Sequence, residues 1–245
     1  MASKTKRKKT EREALRQGRR RERLAREAEA RRAHAARALR LRIAAGLGVA
    51  LVVLAAVFVI GRGGGPSAGG GAGEYDFEVG SPGPGDRAPD VELTTTEGEE
   101  FDLSSLRGRR VLLYFQEGIG CQPCWDQLTD IEPRLDEFRT LGIDEIATIT
   151  TDPPDLLAQK VADEGISTPV MTDQNVIYSR AYATTDYAMA GMGPTFNGHS
   201  FVLVDEKGMI EWRADYGGPT TGNTMYVPVD SLLADIEEGT KGASS

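Results

Sequence analysis

The chain has 245 residues, 40% of them hydrophobic, which is room for one or two ordinary globular domains. Its net charge of −8 is unevenly spread: residues 1–42 carry 17 Lys/Arg against 5 Glu, and residues 43–245 carry a balance of −20, so the two ends face different surroundings. Two cysteines three positions apart exclude a disulfide-stapled scaffold; with His34 in the basic tail and His199 as the other histidine, they also lack the partners of a structural zinc site.

Residues 1–42 are rich in Arg, Ala, Glu and Leu, with no proline and a single glycine, Gly18. That composition favours helix, and Glu–Arg neighbours three and four apart support it, but no apolar stripe runs through it. The expectation is a solvated cytoplasmic tail resting on an anionic membrane surface. No nucleic-acid partner is expected, because no aromatic or fold-level feature accompanies the charge. Residues 43–60 contain no charged side chain and are long enough for a transmembrane helix, which needs about 17–25 apolar residues. Arg42 and Arg62 can snorkel at its ends. The excess of Lys/Arg before the segment predicts a single-pass protein with its N-terminus in the cytoplasm and the remainder outside. A cleaved signal peptide would have a shorter basic lead and an apolar stretch of roughly 7–15 residues, and the small residues after Gly61 keep cleavage as the alternative. Residues 61–87 read as a flexible linker: eight of the thirteen residues 61–73 are Gly, and Pro66, Pro82 and Pro84 interrupt the rest. Such a chain reaches roughly 25–30 Å over about 25 residues.

Residues 88–240 read as one folded domain, with a disordered tail at 241–245. Val91–Leu93 and Glu100–Leu103 alternate around Glu97-Gly98, as in a hairpin. Val111-Leu112-Leu113-Tyr114-Phe115 is apolar throughout, as a central strand is. Residues 122–141 place Trp125, Leu128, Ile131, Leu135, Phe138 and Leu141 at helical spacing, and Pro133 should kink or restart that helix. Ile143–Thr150 is the next strand, and Pro153–Glu164 a helix begun at Asp152. Phe201–Val204 and Met209–Arg213 flank the turn Asp205-Glu206-Lys207-Gly208 as a second hairpin, and Val229–Glu238 is a last helix. This order predicts an α/β domain with a mixed central sheet flanked by helices.

Cys121-Gln122-Pro123-Cys124 follows the apolar strand and opens a helix. A thiol at a helix N-terminus meets unpaired N–H groups and the positive end of the dipole, both of which favour thiolate, the attacking species in disulfide exchange. A second thiol one turn on can resolve the mixed disulfide. Pro123 is tolerated in the first turn, where its missing N–H would lack a partner anyway. Cys121 is expected to be the more exposed nucleophile and Cys124 the more buried resolving thiol. As a staple the pair would do little, since the ring closes almost no loop.

Together with Gly85-Asp86-Arg87-Ala88-Pro89-Asp90 and His199-Ser200-Phe201-Val202-Leu203-Val204-Asp205-Glu206-Lys207-Gly208, this motif makes the chain resemble the redoxins of alkyl hydroperoxide reductase/thiol-specific antioxidant type, in the thioredoxin-fold superfamily. The resemblance spans about Gly85 to Glu238. It implies a thioredoxin-like fold and redox-active thiols, hence a membrane-tethered thiol–disulfide oxidoreductase or a peroxiredoxin-like thiol peroxidase. Its partners would be protein thiols or disulfides and an electron donor or acceptor, with no cofactor. Peroxidases of this branch place a Thr three residues before the reactive Cys and an Arg near the late strand. Here Gly118 and Asn197-Gly198-His199-Ser200 stand in those places, with Arg180 and Arg213 as the remaining candidates. Thioredoxins place a cis-proline just before the late strand, where this chain has His199 or Ser200.

The domain also resembles extracytoplasmic copper-assembly proteins of the Sco type, which hold copper with two thiolates and a His before the late strand. That resemblance implies Cys121, Cys124 and His199 as a copper set, of ligand types that suit Cu(I), with Met189 and Met192 nearby. The cysteine spacing is shorter here by one residue than in that family.

Overall fold

The computed structural model describes residues 67–69, by their backbone, and 75–241. The chain divides into two units, Met1–Gly63 and Gly64–Ser245, and all described residues belong to the second. The expected basic tail and the apolar span 43–60 lie outside the described residues. Among the described residues, no helix is long and apolar enough to cross a membrane.

The sheet is organised around β5 (Val111–Phe115), apolar on both faces and buried at every position. Parallel to it run β6 (Glu145–Thr150) and then β7 (Val170–Thr172); antiparallel on its other side lies β8 (Ser200–Val204), followed by β9 (Ile210–Asp215), β2 (Phe77–Val79) and β1 (Ser67–Gly69). The order β1-β2-β9-β8-β5-β6-β7 makes a mixed sheet. Residue parity in β5 sends Leu112 and Tyr114 to one face and Val111, Leu113 and Phe115 to the other.

The first face carries the helices. The apolar positions of 122–141 do form a helical run, interrupted as Pro133 requires: α1 (Gln122–Ile131), a tight 3₁₀ turn at Glu132–Arg134, then α2 (Leu135–Thr140). Trp125, Leu128, Ile131 and Phe138 pack there with Leu157 of α3 (Pro154–Glu164) and Leu232 and Ile236 of α5 (Val229–Thr240). The second face is covered by the hairpin of β3 (Glu92–Thr94) and β4 (Glu100–Asp102), with Phe101 and Leu103, and by Tyr182 after α4 (Ile177–Ala181). Thr96 N–H donates to Val170 O at 2.8 Å, which sets the end of this hairpin beside the β7 edge.

Four short elements were not visible in the residue pattern. β7 and α4 have three and five residues, too few for a period to register. β1 and β2 both fall where a linker was expected. Phe77 is nevertheless 7% exposed and meets Trp212 and Tyr216 edge-on, with ring centroids 6.1 and 5.4 Å away. The sheet therefore begins ahead of residue 88; the glycines and prolines around Asp76-Phe77-Glu78-Val79 hide a strand whose one large apolar side chain is its anchor. The start of α3 also differs: Asp152 does not cap it, since Pro153 is the N-cap and makes no side-chain bond there.

Candidate redox site

The site is built at the C-terminal end of β5. Gln116 N–H still donates to Ile149 O, and then the chain turns through Gly118 at φ +100°, a conformation that favours glycine. Gly118 O accepts from Cys121 N–H at 3.0 Å and from Trp125 Nε1 at 3.1 Å, so the turn is fixed to the helix it precedes. Cys121 is the N-cap of α1: its sulfur accepts from Cys124 N–H at 3.3 Å, and Pro123 sits in the first turn. Cys121 and Cys124 are joined as a disulfide, with Cα atoms 5.3 Å apart. Cys121 is the more accessible, at 7% exposed against 0% for Cys124, and Met225 packs on the pair.

Two carboxyl groups flank the turn, and neither was singled out from the sequence. Asp152 Oδ2 accepts from Ile119 N–H at 2.9 Å. It fills the space where residue 118 would carry a side chain: a Cβ there would stand 1.8 Å from Oδ2. Glu117 is buried and accepts from Met189 N–H at 2.9 Å. Burial raises the pKa of both, and their backbone hydrogen bonds only partly offset it. Asp152 beside two prolines had the pattern of a helix start, and nothing local in sequence ties it to residues 33 positions earlier.

His199 lies fully buried beneath the motif. Its Nδ1 is 3.0 Å from Tyr114 Oη, which is 3.3 Å from Cys124 O, so one tyrosine hydroxyl links the histidine to the helix that carries Cys124. Desolvation pulls the imidazole down to about 3, leaving it neutral. Among the described residues its Nε2 has no hydrogen-bond partner, nor do Gln116 Nε2, Gln127 Nε2 and Thr148 Oγ1. Gln127 Oε1 accepts from Val227 N–H at 2.8 Å, holding the segment that brings Met225 over the disulfide. The aromatic, Gly-rich stretch after β9 is accordingly packed, with Tyr216 and Val227 fully buried. Among the described residues, no three or more His, Cys, Asp or Glu groups stand together as metal ligands, and in this disulfide state Cys121, Cys124 and His199 do not form such a set.

The peroxidase features looked for by position are arranged differently. Arg213 is fully buried in a two-pronged ion pair with Asp215, at 2.7 and 2.9 Å, and donates to Pro82 O at 2.8 Å. Arg180 is exposed on α4. Among the described residues the cis peptide is Ser81–Pro82, after β2, and not at His199 or Ser200.

The AhpC/TSA family matches residues 84–213. A protein of Mycobacterium tuberculosis assigned to the peroxiredoxins is 32% identical over 150 residues, 60% of this chain and 93% of its own length. Peroxiredoxin Bcp of Escherichia coli is 28% identical over 129 residues, 52% of this chain and 81% of its own. The thiol-disulfide oxidoreductase ResA of Halalkalibacterium halodurans is 31% identical over 99 residues, 40% of this chain and 55% of its own. Among solved structures, peroxidoxin BcpB of Mycobacterium tuberculosis has a TM-score of 0.51 at 18% identity, covering 63% of this chain and 96% of its own. A peroxiredoxin-like protein from Aquifex aeolicus has a TM-score of 0.52 at 14% identity, covering 67% and 92%. At those identities the structural likeness is one of fold.

Proposed function

The chain belongs to the AhpC/TSA family, and from that premise we propose that it is a thiol–disulfide oxidoreductase acting through Cys121 and Cys124, tethered to the membrane by residues 43–60 with its redox domain outside the cytoplasm. That it is an oxidoreductase follows from its kinship with peroxiredoxins and thiol-disulfide oxidoreductases. The observation that carries the dithiol reading is the pair itself: two sulfurs bonded to each other at the start of α1, with Cys121 slightly exposed and Cys124 fully buried. In the reduced chain, Cys121 thiolate attacks a partner disulfide and forms a mixed disulfide. Cys124, one turn on, then attacks Cys121 Sγ and releases the partner reduced. The reverse sequence oxidises a partner dithiol. Partners on this reading are proteins with accessible disulfides or thiols, together with anionic lipid against residues 1–42.

The test is a trap. Cys124→Ser should accumulate a mixed disulfide with a model disulfide protein, and Cys121→Ser should lose turnover. If Cys124→Ser captures nothing and the double variant keeps its activity, the dithiol reading is wrong. The tether is checked by fractionation: the full chain should sediment with membranes and a chain lacking residues 1–60 should not.

Thiol peroxidase activity is the second reading, favoured by the peroxiredoxin relatives. Gly118 argues against it, because the Asp152 carboxylate takes the room a hydroxyl-bearing side chain would need. Oxidation of the reduced chain by hydrogen peroxide no faster than that of a free thiol would remove it. Copper on Cys121, Cys124 and His199 would require Cu(I) affinity that falls in His199→Ala.

A further inference from the structure

We propose that Asp152 and Glu117 poise the Cys121–Cys124 pair to give electrons rather than take them, so that the domain reduces disulfides on partner proteins; this rests on the dithiol reading above.

Two carboxyl groups stand at the loop that leads into Cys121: Asp152 reaches it from another element, and Glu117 is carried by the loop itself. Asp152, in the β6–α3 connection, binds Ile119 N–H two residues before the thiol, and Gly118 has no side chain to keep it out. Glu117, four residues before the thiol, is buried and bound to Met189 N–H. Among the described residues neither has an ion-pair partner. The other charges on this side are mixed. Asp126 on α1 and Asp155 at the start of α3 are exposed and of the same sign. Lys160 on α3 is shared between Glu164 and Gln122 Oε1. Tyr114 and His199, packed beneath, are neutral. Against this stand the N-terminus of α1, worth roughly half a positive charge, and the Cys124 N–H at the Cys121 sulfur.

The disulfide carries no charge, whereas the reduced pair reacts as thiolate. Negative groups at the loop that leads into the thiol therefore disfavour the thiolate-bearing reduced state and leave the disulfide where it is, which is the property of a donor; an oxidant is made by stabilising the reduced form. Gln122 and Pro123 add no cation between the sulfurs. Cys121 thiolate bonds to one sulfur of the partner disulfide, that bond breaks, and the departing thiolate takes a proton. Cys124 thiol gives its proton to water, bonds to Cys121 Sγ and expels the second partner thiolate, which is protonated in turn. The partner gains two electrons and two protons, and the domain is then re-reduced by a dithiol donor.

The experiment equilibrates the full chain with graded dithiothreitol redox buffers and reads the Cys121–Cys124 state by thiol labelling, for the parent, Glu117→Gln and Asp152→Asn. Asparagine keeps an oxygen for Ile119 N–H, so loop geometry is retained while charge is removed. The expected result is that each variant favours the reduced form by about tenfold, which is about 30 mV for this two-electron couple. Thiolate absorbance should also titrate at lower pH in both. Equilibrium constants within twofold of the parent, or shifts toward the disulfide, overturn the proposal. A parent that does not exchange with dithiothreitol at all instead overturns the dithiol reading on which it rests.

Discussion

Buried polar groups decide what single residues contribute here. His199 is held neutral, down to about 3, by desolvation alone, whereas in the unfolded chain an ordinary histidine titrates near 6.5. As pH falls below about 6.5, the unfolded state takes up a proton that the folded state refuses. Stability present above that pH is therefore lost progressively on acidification, by about 1.4 kcal/mol per pH unit while the two states differ by one proton. Glu117 and Asp152 act in the opposite sense, since their raised values make the folded state the one that binds protons first. The difference between parent and His199→Phe isolates the histidine: urea unfolding between pH 7 and pH 5 should show a steeper fall for the parent. Parallel curves would mean that the imidazole is protonated without cost.

At the scale of elements, the motif depends on a segment far from it in sequence. Gln127 of α1 holds Val227 N–H, and that bond keeps the 217–228 stretch and Met225 over the disulfide. Gln127→Leu leaves a buried N–H without a partner, at a cost of about 1–3 kcal/mol. Amides of residues 217–228 should then exchange faster, and a small phosphine should reduce the disulfide faster. Unchanged phosphine kinetics would show that this cover does not limit access. The strands and helices around the motif were legible because each is a long, regular pattern: five apolar residues in β5, and a 3.6-residue period through α1 and α2 broken where Pro133 stands. The acids at the site were not legible. Glu117 and Asp152 matter because of backbone donors at Met189 and Ile119, which only the folded chain brings to them. Tyr114 carried a weak signal, as the one hydroxyl in an otherwise apolar strand.

For the molecule as a whole, the seven-stranded sheet starts earlier than composition suggests. Phe77 of β2 packs on Trp212 and Tyr216, so the segment before residue 88 is part of the folded unit. Phe77→Ala should cost about 3–5 kcal/mol, the usual range for emptying a buried aromatic site. A chain beginning at Ala88 should unfold at markedly lower urea than one beginning at Tyr75. Equal midpoints would mean that the β9 edge is stable uncovered.

Gly118 and Asp152 occupy one space between them, and this ties their fates together. A Cβ at 118 would stand 1.8 Å from the carboxylate, while shortening Asp152 strips Ile119 N–H of its acceptor. Either change alone meets a penalty that the other partly removes. Gly118→Ala with Asp152→Gly should therefore lose less stability than the two single losses added, by about 0.5–3 kcal/mol in a double-mutant cycle. The positive φ at 118 still charges each alanine-bearing chain its own cost. Substitution at these two sites is thus a linked move: a lineage that acquired a hydroxyl at 118 would have to surrender the acid at 152 with it, through an intermediate worse than either end.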